Sequence, residues 1–64
     1  MNYDFSYWPV ARLGGKQQTH WRVEMTQGDT IAHTFIDFRD ALSPAEFDEQ
    51  LKLAKERLTA KLRT

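Results

Sequence analysis

The last third of the chain, residues 43–63, carries the feature that most constrains the fold. Apolar residues recur there at steps of three and four, which is the period of a helix that buries one face. The members of this stripe are Phe47, Leu51, Ala54, Leu58 and Leu62. A helix with a single apolar stripe must pack on another element, so the preceding residues must supply a complementary apolar surface.

The start of this helix is also written in the sequence. Ser43-Pro44-Ala45-Glu46 matches a capping box, in which the first hydroxyl and the last carboxylate satisfy exposed backbone N–H groups. Pro44 suits the first helical position because its missing N–H has no partner to lose there. Leu42 and Phe47 have the spacing of a hydrophobic staple. The pattern predicts a helix over residues 43–63, with Ser43 as its cap.

The residues before the helix alternate between apolar and polar, which predicts β-strands. Strands are expected at residues 2–13, 18–26 and 30–38. Pro9 cannot donate a ladder hydrogen bond, so the first strand should lie at a sheet edge or contain a bulge there.

Glycines mark the two turns between these strands. Gly14-Gly15-Lys16 supplies the positive φ that a hairpin turn needs, and Gly28 opens a two-residue loop of the type II′ kind. The second loop sets the register of the hairpin. The chain is therefore predicted to form one α+β domain over residues 1–64. It consists of a three-stranded antiparallel meander (β-β-β), followed by one C-terminal helix packed on one sheet face.

Composition narrows the class of protein. The 64 residues include nine basic and nine acidic side chains and no cysteine, so neither a disulfide nor a thiolate metal site can form. No apolar run is long enough for a membrane span, and we expect no secretory signal. We expect a soluble, cytoplasmic protein with no membrane partner. A domain this small without disulfides often gains stability by association, so a homodimer is one possible assembly.

The candidate chemical groups do not form a catalytic or metal site in this interpretation. The register places His20 opposite Asp37 and Glu24 opposite His33 on one face of the sheet. His20 and Glu24 are four positions apart on one strand, about 13 Å, which is too far to share a metal ion. Hydrogen-bonded surface pairs are expected instead. Without a nucleophile and base in a suitable pattern, we expect no enzyme, no catalytic residue and no cofactor.

The open face of the predicted sheet is the candidate binding surface. Tyr3, Phe5 and Tyr7 are interpreted as lying on it beside Arg22 and Phe35; the alternative is that Phe5 and Tyr7 turn into the core. Tyrosine and arginine are enriched at protein interfaces. The leading hypothesis is a small non-enzymatic protein-binding module, an inhibitor or adaptor that occupies a partner's surface with these five residues.

Nucleic acid is the alternative partner. Basic residues gather toward the end of the helix, and aromatic residues on a sheet can stack on bases. A nucleic-acid-binding regulator would use Arg22, Lys52, Lys55, Arg57 and Lys61.

The predicted architecture also resembles a known class of domain. Trp21-Arg22-Val23 through Thr34-Phe35 is similar to the second and third strands of the arm-binding domains of phage-type integrases. The resemblance covers about half of the chain. It is one of architecture, and it suggests a small protein of the kind that phages or mobile elements encode.

Overall fold

The computed structural model describes residues 3–63, which form a three-stranded sheet and one long helix. The strands are β1 (Asp4–Ala11), β2 (Gln18–Gln27) and β3 (Thr30–Asp37), in the spatial order β1-β2-β3. A short 3-10 turn, Phe38–Asp40, leads to the helix α1 (Pro44–Arg63). Both strand pairs are antiparallel. The predicted α+β meander with a C-terminal helix is confirmed.

The β2–β3 hairpin has the predicted register. Val23 lies opposite Thr34, and Arg22 lies opposite Phe35. Gly28 has a φ of +59°, and Asp29 after it does not have a positive φ. A positive φ at the first loop position alone is the pattern of a type II′ turn, whose twist matches that of the strands.

The β1–β2 connection is longer than a tight hairpin. The Gly15 N–H donates to the Arg12 carbonyl at 2.7 Å, and Gly14 has a φ of +80°. A positive φ at the third turn residue defines a type II turn, so only Gly14 of the glycine pair uses glycine's conformational freedom. β1 lies at the sheet edge, as Pro9 requires, and its pairing shifts between Val10 and Ala11.

The Ser43 cap of the helix is confirmed, but the chain enters the helix differently. The Glu46 N–H donates to the Ser43 Oγ at 3.2 Å, which is the expected capping bond. Leu42 is 78% exposed, so the predicted staple between Leu42 and Phe47 is wrong. After the 3-10 turn it is Ala41 that packs against the core, and Phe47 packs instead on Trp21, with ring centroids 4.9 Å apart.

The core lies between α1 and the two strands β2 and β3. Its buried side chains are Val23, Met25, Ala32, Ile36, Ala54 and Leu58. The helix packs chiefly on β3 and β2, and β1 contributes no buried residue. The sheet is therefore covered unevenly. Among residues 3–63, no helix combines the length and apolar character needed to cross a membrane.

The side of the sheet on which the β1 aromatics lie differs from the prediction. Phe5 pairs with Met25 and Tyr7 with Val23, so both face α1, and Tyr3 also packs against the core. The prediction that these three residues lie on the open face is wrong. Regular alternation continues through Pro9, and the irregularity comes only after Val10, so nothing reverses the parity of the aromatic residues.

Candidate functional site

The open face of the sheet, opposite α1, has an aromatic row across its centre. Trp8, Arg22 and Phe35 occupy adjacent positions on the three strands. Antiparallel pairing places such residues side by side, on the same face of the sheet. Trp8 is 39% exposed and Phe35 is 47% exposed. These three residues, called the aromatic row below, present apolar rings and a guanidinium to solvent.

Arg22 is held in place at the middle of this row. Its Nε donates to Glu24 Oε2 at 2.8 Å, and its guanidinium carbon lies 5.6 Å from the centroid of the Phe35 ring. Glu24 is two residues along the same strand, where side chains share a face. The ion pair and the cation–π contact together fix the guanidinium beside the Phe35 ring.

Two histidines flank the Phe35 ring. His20 and His33 approach it edge-on, with ring centroids 5.0 and 5.7 Å from that of Phe35. They lie opposite Asp37 and Glu24, as predicted. However, Asp37 accepts hydrogen bonds from Arg39 and Glu24 accepts one from Arg22, so the expected histidine–carboxylate pairs are wrong. The His20 ring is hydrogen-bonded to its neighbour Thr19, whose Oγ1 lies 2.9 Å from Nδ1.

At one end of the open face, Asp37 forms an ion pair with Arg39. The Arg39 backbone N–H donates to Asp37 Oδ1 at 2.9 Å, and its guanidinium donates to both carboxylate oxygens at 3.2 Å. These hydrogen bonds, the side-chain ones first, lower the pKa of Asp37. The side-chain bonds to Asp37, followed by the attraction of its negative charge, raise the pKa of Arg39. Arginine can donate two parallel hydrogen bonds to one carboxylate, which adds both energy and geometric specificity.

A shallow cavity of about 350 Å³ lies beside this pair, between the β1–β2 loop and the 3-10 turn. Its lining includes Arg12, Gln18, Phe38 and Arg39. No buried polar side chain points into it, since residues 3–63 contain none. Residues 3–63 also contain no group of three or more histidine and carboxylate side chains able to hold a metal ion.

The structure divides the predicted protein-binding set into two groups. Arg22 and Phe35 are neighbours on the open face. Phe5 and Tyr7 lie on the other side of the sheet, and Tyr3 packs against the core. Sequence reasoning missed Trp8 as a member of the open face. Its signal was present, because Trp8 has the opposite parity to Phe5 and Tyr7, but only the pairing with β2 decides which parity faces the helix.

The predicted nucleic-acid-binding set is also divided. The Lys55 Nζ lies 4.7 Å from the centroid of the Phe5 ring above β1, and the Lys61 Nζ donates to the His33 carbonyl at the edge of β3, at 3.2 Å. At about 100° of rotation per residue, Lys52 falls on the Lys55 side of the helix and Arg57 on the Lys61 side. Arg22 projects from the opposite face of the sheet. These five residues therefore form no continuous basic surface.

Comparison of the chain with protein-family models, with curated proteins and with solved structures finds no match.

Proposed function

We propose that this protein is a small non-enzymatic protein-binding module that acts as an inhibitor or adaptor by covering a partner's surface with its open sheet face. The observation that carries this proposal is the aromatic row, which lies partly exposed on a face that no helix in residues 3–63 covers. Tryptophan, tyrosine and arginine are the residues that most often contribute the largest share of binding energy at protein interfaces.

The arginine of the aromatic row is already oriented in the unbound protein. Arg22 is already oriented by Glu24 and Phe35, so little side-chain freedom remains to be lost on association. Its charge is also already paired, which reduces the penalty for removing it from water. Both properties favour a partner that covers the row with an apolar surface.

The size of the open face favours a different protein over a second copy. Three strands about 4.8 Å apart, with a rise of about 3.4 Å per residue, give a face on the order of 400 Å². Two such faces would together bury on the order of 800 Å², below the roughly 1,200 Å² typical of stable interfaces. A larger partner that extends past the edges of the sheet can bury more, so the homodimer is the less favoured assembly.

A nucleic-acid partner is less well supported. Trp8 and Phe35 have the chemistry for stacking on bases. However, phosphate binding needs unneutralised cations, and the cation of the row, Arg22, is paired with Glu24. The helix lysines lie on the far side of the sheet. We therefore propose a protein partner, and we propose that this protein acts in the cytoplasm, which the absence of cysteine permits.

The test compares the tagged wild type with two double variants in lysate from the source of the protein, with and without nuclease. Trp8→Ala/Phe35→Ala removes the rings of the row. The matched control, Leu13→Ala/Leu42→Ala, removes two exposed apolar side chains that lie off the open face. Thermal unfolding of each variant verifies that it is folded.

We expect the wild type and the control to retain the same protein in both arms, and the row variant to lose it while remaining folded. Equal retention by the row variant would contradict the open face as the binding surface. Loss of retention after nuclease treatment would show that the partner is a nucleic acid.

A further inference from the structure

A second surface lies on the helix side of the sheet, because α1 covers β3 and β2 and leaves β1 partly open. Tyr7 faces the helix and is nevertheless 45% exposed. Its ring centroid lies 5.6 Å from that of Phe47 and 6.1 Å from that of Phe5. Lys55 stands over Phe5. These four residues line a partly open surface between the helix and the edge of the sheet, called the β1 shelf below.

The main chain beside this shelf has free hydrogen-bonding groups. In a type II′ hairpin Gln27 and Thr30 form a hydrogen-bonded pair, and antiparallel pairing then alternates along the strands. The β2 residues that do not bond to β3 bond to β1, and their partners on β1 include Ser6 and Trp8. The N–H and C=O groups of Phe5 and Tyr7, which alternate with these, therefore point away from the sheet. Pro9 occupies the next outward position, where its missing N–H breaks no ladder bond.

The other edge of the sheet is protected differently. At β3 the Lys61 ammonium donates to the His33 carbonyl at 3.2 Å, and the helix lies close above this strand. A lysine over an edge strand is a common means of preventing further pairing. The free run of main chain on β1 therefore lies beside the partly exposed aromatic residues, whereas the β3 edge is partly capped.

We propose that the β1 edge accepts an extended segment of a partner protein by strand addition. The segment would pair with the main chain of Phe5 and Tyr7 and place alternate side chains on the β1 shelf. In this mode of recognition, main-chain bonds supply affinity and the pockets for alternate side chains supply specificity. The surface lies on the opposite side of the sheet from the aromatic row, so this proposal goes beyond the function proposed above.

The charge beside the shelf defines the chemistry of the segment. Within residues 3–63 no carboxylate lies within ion-pair distance of Lys55, and Lys52 falls on the same side of the helix. An aspartate or glutamate on the shelf side of the added strand would pair with Lys55. A second copy of β1 cannot supply this group, because its residues on that side are aromatic up to Pro9. The occupant is therefore a segment in which apolar residues alternate with polar ones and one shelf-facing position is acidic.

The test uses random twelve-residue peptides displayed on yeast and selected on the immobilised full-length protein. The affinity of the enriched peptides is then measured for two chemically synthesised chains. One carries a methyl group on the backbone nitrogen of Tyr7, and the control carries it on that of Ile31, which points outward from the β3 edge. Both modifications leave every side chain unchanged.

We expect peptides that alternate apolar and polar residues and contain one carboxylate. Methylation at Tyr7 should weaken their binding at least tenfold, and methylation at Ile31 should leave it unchanged. Selection on the Lys55→Glu variant should enrich lysine or arginine in place of the carboxylate. The Trp8→Ala/Phe35→Ala variant should bind the peptides as the wild type does, which separates this result from the test of the open face.

Three results would overturn the proposal. The first is the absence of a shared acidic alternating pattern, and the second is binding that survives methylation at Tyr7. The third is a dimer in sedimentation equilibrium that methylation at Tyr7 dissociates, since the edge would then be occupied by a second copy.

Discussion

At the scale of single residues, the ion pairs of the open face join residues two positions apart in the chain, and not residues on neighbouring strands. Arg22 pairs with Glu24, and Asp37 pairs with Arg39. The register placed a histidine opposite each carboxylate, and those positions are as predicted. Arginine takes the carboxylates because a guanidinium is always charged and donates in a fork that fits them. His20 and His33 are left to pack on Phe35.

The Asp37–Arg39 pair predicts a contribution to acid sensitivity. Hydrogen bonds from Arg39 lower the pKa of Asp37 below its ordinary value of 3.8. The folded state therefore binds this proton less readily than the unfolded state, so the pair stabilises the fold above about pH 4 and loses its effect as the pH falls through the lowered pKa. We expect the thermal midpoint of Asp37→Asn to fall less between about pH 5 and pH 2 than that of the wild type.

Circular dichroism melts across this pH range provide the measurement, with Asp29→Asn, at the tip of the β2–β3 turn, as the control. The difference should shrink in high salt because Arg39 is exposed and the pair is screened. If Asp37→Asn and the wild type lose stability in parallel, the pair does not contribute.

At the scale of elements, local signals were the most reliable. The Ser43 cap and the apolar stripe predicted α1, and Gly28 predicted the turn between β2 and β3. Both depend on bonds within a few residues. The predicted hydrophobic staple is wrong because Leu42 is exposed and does not pack on Phe47. The preceding 3-10 turn, Phe38–Asp40, was not predicted.

The Gly28 turn gives a prediction that separates backbone geometry from packing. An L-residue at its φ of +59° is strained, although a Cβ there would meet no atom within 4 Å. We expect Gly28→Ala to lower the free energy of unfolding by about 1–2 kcal/mol. Its D-alanine counterpart should raise it by about 0.4–1 kcal/mol, because D-residues favour positive φ and restrict the unfolded chain.

Urea unfolding of the two synthetic chains tests this prediction. Since the two chains have the same composition and differ only in the chirality of residue 28, each serves as the control for the other. Equal destabilisation by both enantiomers would mean that the turn needs glycine for a reason other than its φ.

At the scale of the whole molecule, the helix divides the sheet into a covered and an uncovered part. Val23 and Met25 in β2 are buried under α1, whereas β1 has no buried residue. Local stability follows buried contacts, so opening of β1 should cost less than opening of the β2–β3 hairpin. We therefore expect the edge proposed to accept a partner strand to be also the least stable edge.

Amide hydrogen exchange followed by NMR measures this difference directly. The amides of Ser6 and Trp8, which bond to β2, should exchange faster than those of Val23 and Met25, which bond to β3. The same secondary structure and similar hydrogen bonds make the two sets a matched comparison. Uniform protection across the sheet would show that β1 opens only with the rest of the domain.

The sequence by itself determined the number and order of the strands, the register of the β2–β3 hairpin and the capped helix. Periodicity, turn chemistry and capping act over a few residues and therefore can be read from a single chain. It also identified Arg22 and Phe35 as neighbours, because the Gly28 turn sets the pairing that places them side by side.

Only the tertiary structure decided which face of β1 meets the helix. Aromatic residues occupy both sets of alternating positions in β1, and Pro9 was compatible with either set facing the helix. The local pattern therefore could not decide which set faces the helix. Pairing with β2 places Phe5 and Tyr7 beside the core residues Met25 and Val23, and turns Trp8 to the open face. Long-range burial of apolar surface made this choice, and it separated one predicted binding surface into two.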